Sequence, residues 1–146
     1  MDLLADFLSG DPHRIWSASC AVRTLRDPAA LQHLATHRDR IRASASTVPL
    51  GGMVRANSTH LDFALTKLVF VADAAGCLCL LYTRDDLYDP AKEEKAGNVR
   101  VVSTAMRERF VDHYLCECTL CGARYRVEEG EYHYTWWRWV PVEVAK

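Results

Sequence analysis

The spacing of apolar residues changes character at Gly76, and that change bounds the folds open to this chain. Before it, apolar side chains recur three and four positions apart, as on one face of a helix. Leu3, Leu4, Phe7 and Leu8 form a first stripe, which Ser9-Gly10-Asp11-Pro12 stops. Asp27-Pro28 has the form of an N-cap with proline in the first turn, and Ala29–Arg42 continues the pattern. After the loop Pro49-Leu50-Gly51-Gly52, Ser58 or Thr59 can cap a helix carrying Leu61, Ala64, Leu65 and Leu68. The end of that segment, Leu68–Ala72, also has the composition of a strand.

Beyond Gly76, Cys77–Thr83 is short and apolar, as a buried strand would be. Asp85–Asn98 contains Pro90 and Gly97 and reads as a long polar loop with one helical turn at most. Val99–Thr104, Tyr114–Cys118, Ala123–Glu128 and Tyr132–Val140 have strand composition, with Glu128-Glu129-Gly130-Glu131 as the hairpin joining the last two. Helices first and strands later predict a single α+β domain over residues 1–146, N-terminal helices packing on a C-terminal, mainly antiparallel β-sheet. With 146 residues, 49% of them hydrophobic, the chain can build a core without metal. A zinc ion would then stabilise one hairpin of the fold.

Charge excludes some functions. The formal net charge is −1, and residues 1–60, 61–98 and 99–146 carry +2, −3 and zero. No segment has the basic excess of a protein held on phosphates, which argues against nucleic acid as a partner. Met1–Leu8 lacks a positive n-region, and the apolar stretch Leu68–Tyr82 is interrupted by Asp73 and Gly76. These features predict a soluble, cytoplasmic protein with no membrane partner, in which six cysteines favour metal or redox chemistry over disulfides.

Cys118-Thr119-Leu120-Cys121-Gly122 carries the sharpest chemistry. Two thiols separated by two residues can converge on one ion, and glycine relieves the crowded backbone behind them. The span Cys118–Tyr125 resembles one knuckle of the zinc-ribbon proteins, a resemblance of about eight residues. The second Cys-x-x-Cys of that pattern is missing. Cys77 and Cys79 would share one face of a strand, as would Cys116 and Cys118. The preferred ligand set is Cys77, Cys79, Cys118 and Cys121, with Cys116 as the substitute and His113 or His133 as further donors. The competing account treats these thiols as small buried hydrophobes, and Cys20 is read that way. A thioredoxin-type role is disfavoured because its first sulfur needs a helix N-terminus, whereas a strand and a turn are expected here.

Other residues have bland readings beside sharper ones. His33 and His37 can face one metal from a helix, but no third donor accompanies them. Asp85, Asp86 and Asp89 match no calcium loop and read as a solvated loop or a partner-binding surface. Trp136, Trp137 and Trp139 lie in a strand with aromatic residues on both faces, either doubly buried or offering a binding edge. Gly51-Gly52 lacks the context of a dinucleotide site, and no Gly-x-Ser-x-Gly elbow occurs.

Three functional expectations follow. The first is a non-enzymatic protein acting through protein–protein contact, of which the proteins that neutralise bacterial toxins (immunity proteins) are a concrete instance. Its partner-binding residues would be Asp85, Asp86, Asp89, Trp136, Trp137 and Trp139. The second is a zinc-bearing nucleic-acid module using Arg124, Arg126 and Arg138. The third is a small metal-dependent enzyme with three cysteine ligands and one open position.

Overall fold

The computed structural model describes residues 2–53 and 55–143. The chain forms two compact units, Met1–Gly76 and Cys77–Lys146, so the change of pattern at Gly76 is also a structural boundary. The first unit is helical and the second carries a sheet, an α+β arrangement. Among the described residues no helix is long and apolar enough to cross a membrane.

In the first unit, α1 (Leu3–Phe7), α2 (Pro12–Thr24), α3 (Pro28–Thr36), α4 (Arg38–Ala45) and α5 (Ser58–Ala72) follow one another. Asp11-Pro12, read above as a stop, also starts α2. The Asp11 carboxylate accepts from the N–H groups of His13 and Arg14, and proline opens the helix where its missing donor costs nothing. Asp27-Pro28 repeats the device for α3, as expected. The predicted continuous helix over Ala29–Arg42 is divided at His37, whose backbone (φ −102°, ψ 14°) leaves the helical region. The start of α5 falls on Asn57, which makes no side-chain cap; its Nδ2 donates instead to the Leu50 carbonyl at 3.0 Å.

Leu68–Ala72 stays helical, because Leu68 and Phe70 belong to the buried side of α5 where it packs along α2 and α3. On the same helix Lys67 is 1% exposed. Its ammonium donates to the carbonyls of Val22, Arg23 and Leu25 at 2.9, 2.9 and 2.7 Å, closing the C-terminal end of α2. The last carbonyls of a helix lack the usual N–H donor one turn on, and a cation suits that end of the dipole.

The second unit begins with a 3-10 helix, Leu78–Arg84, where Cys77–Thr83 had been expected to form a strand. Gly76 (φ 135°) turns the chain, Cys77 is extended, and the Leu80 N–H donates to the Cys77 carbonyl at 3.1 Å. The apolar run is then satisfied by burying Cys79, Leu81 and Tyr82 from a helical turn. The expected loop Asp85–Asn98 contains α6 (Pro90–Lys95), started by a third Asp-Pro pair in which Asp89 accepts from the Ala91 N–H. Tyr88, Pro90 and Glu93 are buried there.

Strands β1 (Val99–Arg107), β2 (Phe110–Cys118), β3 (Arg124–Tyr132) and β4 (Tyr134–Val142) form an antiparallel sheet in chain order. The hairpin between β3 and β4 does not turn at Glu128–Glu131. It turns at His133, a non-glycine residue with φ 64°, and β3 runs on to Tyr132. Gly130 is a strand residue opposite Trp136, and the indole ring occupies the place a Cβ at 130 would need. The buried side of the sheet is formed by Val99, Cys116, Cys118, Tyr125, Val127 and Trp139.

Candidate metal centre

The two strands nearest the middle of the sheet are joined by the cysteine knuckle. β2 ends at Cys118, and the Gly122 N–H returns to the Cys118 carbonyl at 3.0 Å while the Cys118 N–H reaches the Ala123 carbonyl at 2.8 Å. Gly122 has φ 78°, a left-handed conformation that glycine adopts without a Cβ clash. Thr119 anchors the turn by donating its hydroxyl to the carbonyls of Gly97 and Asn98 at 2.8 and 3.1 Å.

The other two thiols come from the extended residue Cys77 and the first turn of the 3-10 helix. They do not share a strand face, since no strand forms there. The turn nevertheless brings them to the knuckle. The sulfurs of Cys77, Cys79, Cys118 and Cys121 all lie within 4.8 Å of one another. Cys77 Sγ is 3.7 Å from Cys118 Sγ, and Cys79 Sγ is 3.5 Å from Cys121 Sγ. A thiolate tetrahedron with Zn–S bonds of about 2.3 Å has S···S edges of about 3.8 Å, so both separations match it closely. They are too long for disulfides, whose S–S distance is about 2.05 Å. Four cysteines thus stand where they can hold one metal ion.

Cys116, the substitute ligand, is not part of this group. It is fully buried in β2, and burial together with the Glu94 carboxylate pushes its thiol up to about 12. His113 hydrogen-bonds Asp112 at 2.7 Å and also lies outside the cluster.

Burial raises the Cys77 thiol, and it raises Cys79 more strongly, although a hydrogen bond from Tyr125 opposes it there. For Cys118 burial again disfavours the thiolate. The N–H groups of Cys121 and Leu120, with the thiols of Cys77 and Cys121, outweigh it and hold the group below its ordinary value. A metal would displace the remaining protons, since only thiolates ligate.

A residue that the sequence reading did not single out supports this centre. Tyr125, 1% exposed on β3, places its hydroxyl 3.1 Å from Cys79 Sγ. Such outer hydrogen bonds orient a ligand and temper its charge. Tyr125 also meets Trp139 edge-on at 5.8 Å, and Trp139 stacks on Tyr82 at 4.2 Å. The Trp139 indole N–H donates to the Tyr88 carbonyl at 2.9 Å. Strand alternation could have placed Tyr125 beside the cysteines, but its contact with Cys79 depends on the 3-10 turn.

The residues expected to meet a partner fall in different settings. Trp139 is buried at 3%, while Trp136 and Trp137 are half-buried. Asp86 is joined to β4: its carbonyl accepts from the Trp137 N–H at 2.9 Å and its carboxylate from the Tyr134 hydroxyl at 3.2 Å. Asp89 caps α6, and Asp85 is half-buried at the end of the 3-10 helix. Arg124 and Arg126 are engaged by acids, Arg124 with Glu117 at 2.9 Å and Arg126 with Asp112 and Glu128 at 3.6 and 3.7 Å. His33 and His37 contact each other edge-on at 5.1 Å between ring centres.

No family model matches this chain, and neither does a curated protein or a solved structure.

Proposed function

We propose that this chain is a non-catalytic scaffold in the cytoplasm, in which a structural zinc ion held by Cys77, Cys79, Cys118 and Cys121 fixes a surface that binds another protein. The observation behind this reading is the completeness of the donor set. Four thiols surround one point, whereas catalytic zinc keeps a position open for water or substrate. An all-sulfur tetrahedron selects a soft or borderline metal and disfavours magnesium or calcium. A reducing compartment keeps the thiols available.

The same two cysteine-bearing turns present apolar side chains to solvent. Leu120 is 76% exposed and Leu80 44% exposed. Large apolar groups held outward on rigid turns suit the centre of a protein interface. A toxin-neutralising protein is the concrete form carried forward. The nucleic-acid alternative is weakened by the acids paired with Arg124 and Arg126.

Purified protein should retain about one zinc per chain through gel filtration, and Cys118→Ser with Cys121→Ser should abolish it while Cys20→Ser does not. Co-expressed with the product of the adjacent gene, it should form a complex that Leu120→Asp weakens at least ~10-fold without loss of zinc. A chain that binds no zinc refutes the centre. A chain that forms no such complex, or one indifferent to both Leu120→Asp and Leu80→Asp, refutes the interface.

A further inference from the structure

The four sulfurs differ in access and in pairing. Cys121 is exposed, Cys77 half-buried, and Cys79 and Cys118 buried. All four sulfurs lie within 4.8 Å of one another, and two pairs stand at 3.5 and 3.7 Å, Cys79 with Cys121 and Cys77 with Cys118, each joining the start of the 3-10 helix to the knuckle. Neither contact lies within one segment. Closing each pair from about 3.5–3.7 Å to a disulfide of about 2.05 Å asks for a sulfur movement of roughly 1.5 Å, within reach of side-chain rotation.

We propose that Cys121 is an oxidation site, attacked first by peroxide, and that the centre then closes pairwise into Cys79–Cys121 and Cys77–Cys118 disulfides that hold the same two segments once the metal has left. This rests on the metal reading above. In the first step the Cys121 thiolate attacks one peroxide oxygen, the O–O bond breaks, and a sulfenic acid and hydroxide form. The Cys79 thiolate then displaces a second hydroxide from that sulfur, giving the disulfide, and both hydroxides take protons from solvent to become water. Each pair loses two electrons to one hydrogen peroxide, which is reduced to two waters. With two ligands removed the ion dissociates, and a second peroxide closes Cys77–Cys118 by the same chemistry.

Oxidation therefore exchanges one cross-link for another. Intrasegment pairing, Cys77 with Cys79 and Cys118 with Cys121, would instead leave the 3-10 helix untied.

The test uses the full chain loaded with zinc and titrated with hydrogen peroxide, following zinc with a chromophoric chelator and disulfides by peptide mapping without reduction. Zinc should appear with the first equivalent, together with the Cys79–Cys121 peptide, and Cys77–Cys118 should follow with the second. A predominant Cys118–Cys121 product, or mixed pairings, overturns the proposal. In reduced, metal-free chain, iodoacetamide should label Cys121 at least ~10-fold faster than Cys79, as exposure governs access; equal rates overturn it as well. The labelling and mapping arms can be run without metal. A chain that never binds zinc thus refutes the metal reading, while wrong pairing in a zinc-binding chain refutes this one.

Discussion

Lys67→Met removes the ammonium from inside the helical unit while keeping an unbranched side chain of similar length. Replacing a buried charge by an apolar group is often neutral, because the desolvation cost of the charge vanishes with it. Here the partners are backbone carbonyls, which no substitution can remove. The Val22 oxygen also accepts the Leu25 N–H at 3.2 Å and keeps that donor, so two bonds to the ammonium are lost outright, those to the buried Arg23 and the part-buried Leu25 carbonyls. At about 1.5–3 kcal/mol for each hydrogen bond to a charged group, and with part returned by relief of ammonium desolvation, the net cost is roughly 3 kcal/mol. That is a large part of the ~5–15 kcal/mol by which a native protein is stable. With a urea slope of about 2 kcal/mol/M, the midpoint read by far-UV circular dichroism should fall by about 1.5 M. A midpoint that stays within ~0.3 M of the parent, or rises, would show that the three carbonyls do not depend on this cation.

Gly130→Ala places a methyl group where the Trp136 ring lies, so the indole must leave. The expected loss is about 1–3 kcal/mol in chemical denaturation, and the further change Trp136→Val should recover most of it in a double-mutant cycle. A single variant as stable as the parent refutes the contact. The Glu117 carboxyl is held below its ordinary value of 4.5, first by the Arg124 hydrogen bond; desolvation opposes this, and the charges of Arg100 and Arg124 add to the lowering. A depressed carboxyl contributes stability above its unfolded value and loses it as pH falls through the folded one, so the loss lies below pH 4.5. Arg124→Ala should raise the Glu117 midpoint followed by carboxyl carbon NMR, and an unmoved midpoint would show that the pair does not form in solution.

Much of the architecture was legible because its signals are local. The switch at Gly76, the Asp27-Pro28 start of α3 and the Cys-x-x-Cys-Gly turn each state their geometry within a few residues. Asp11-Pro12 was half legible: α1 has already ended at Phe7 and the pair begins α2, and the sequence shows the interruption more plainly than the new start. The strand expected over Cys77–Thr83 turned out helical, as six apolar residues in a row do not distinguish a strand from a buried helical turn. The thiols of Cys77 and Cys79 reach the knuckle even so, through the turn at Gly76 instead of strand alternation. Glu128-Glu129-Gly130-Glu131 has the composition of a hairpin turn, yet its glycine answers to a tryptophan six residues on across the ladder. The roles of Lys67 and Tyr125 were not legible, because each is defined by partners distant along the chain.

The span between paired cysteines sets an order of events during synthesis. Cys77 and Cys79 leave the ribosome with two sulfurs and no complete site, and their counterparts follow 41 and 42 residues later. At about 5–20 residues per second that interval is roughly 2–8 s, during which α6 and the β1–β2 pair must form or remain loose without the clip. Once Cys121 emerges, capture of the proposed ion would close the loop before β3 and β4 have delivered Tyr125 and Trp139. Closing a loop of that length restricts the unfolded chain by roughly 4 kcal/mol on the cross-link scale. On the proposed metal reading, a cell short of metal would therefore accumulate nascent chains whose first strand pair waits, unfastened, for the aromatic core to arrive.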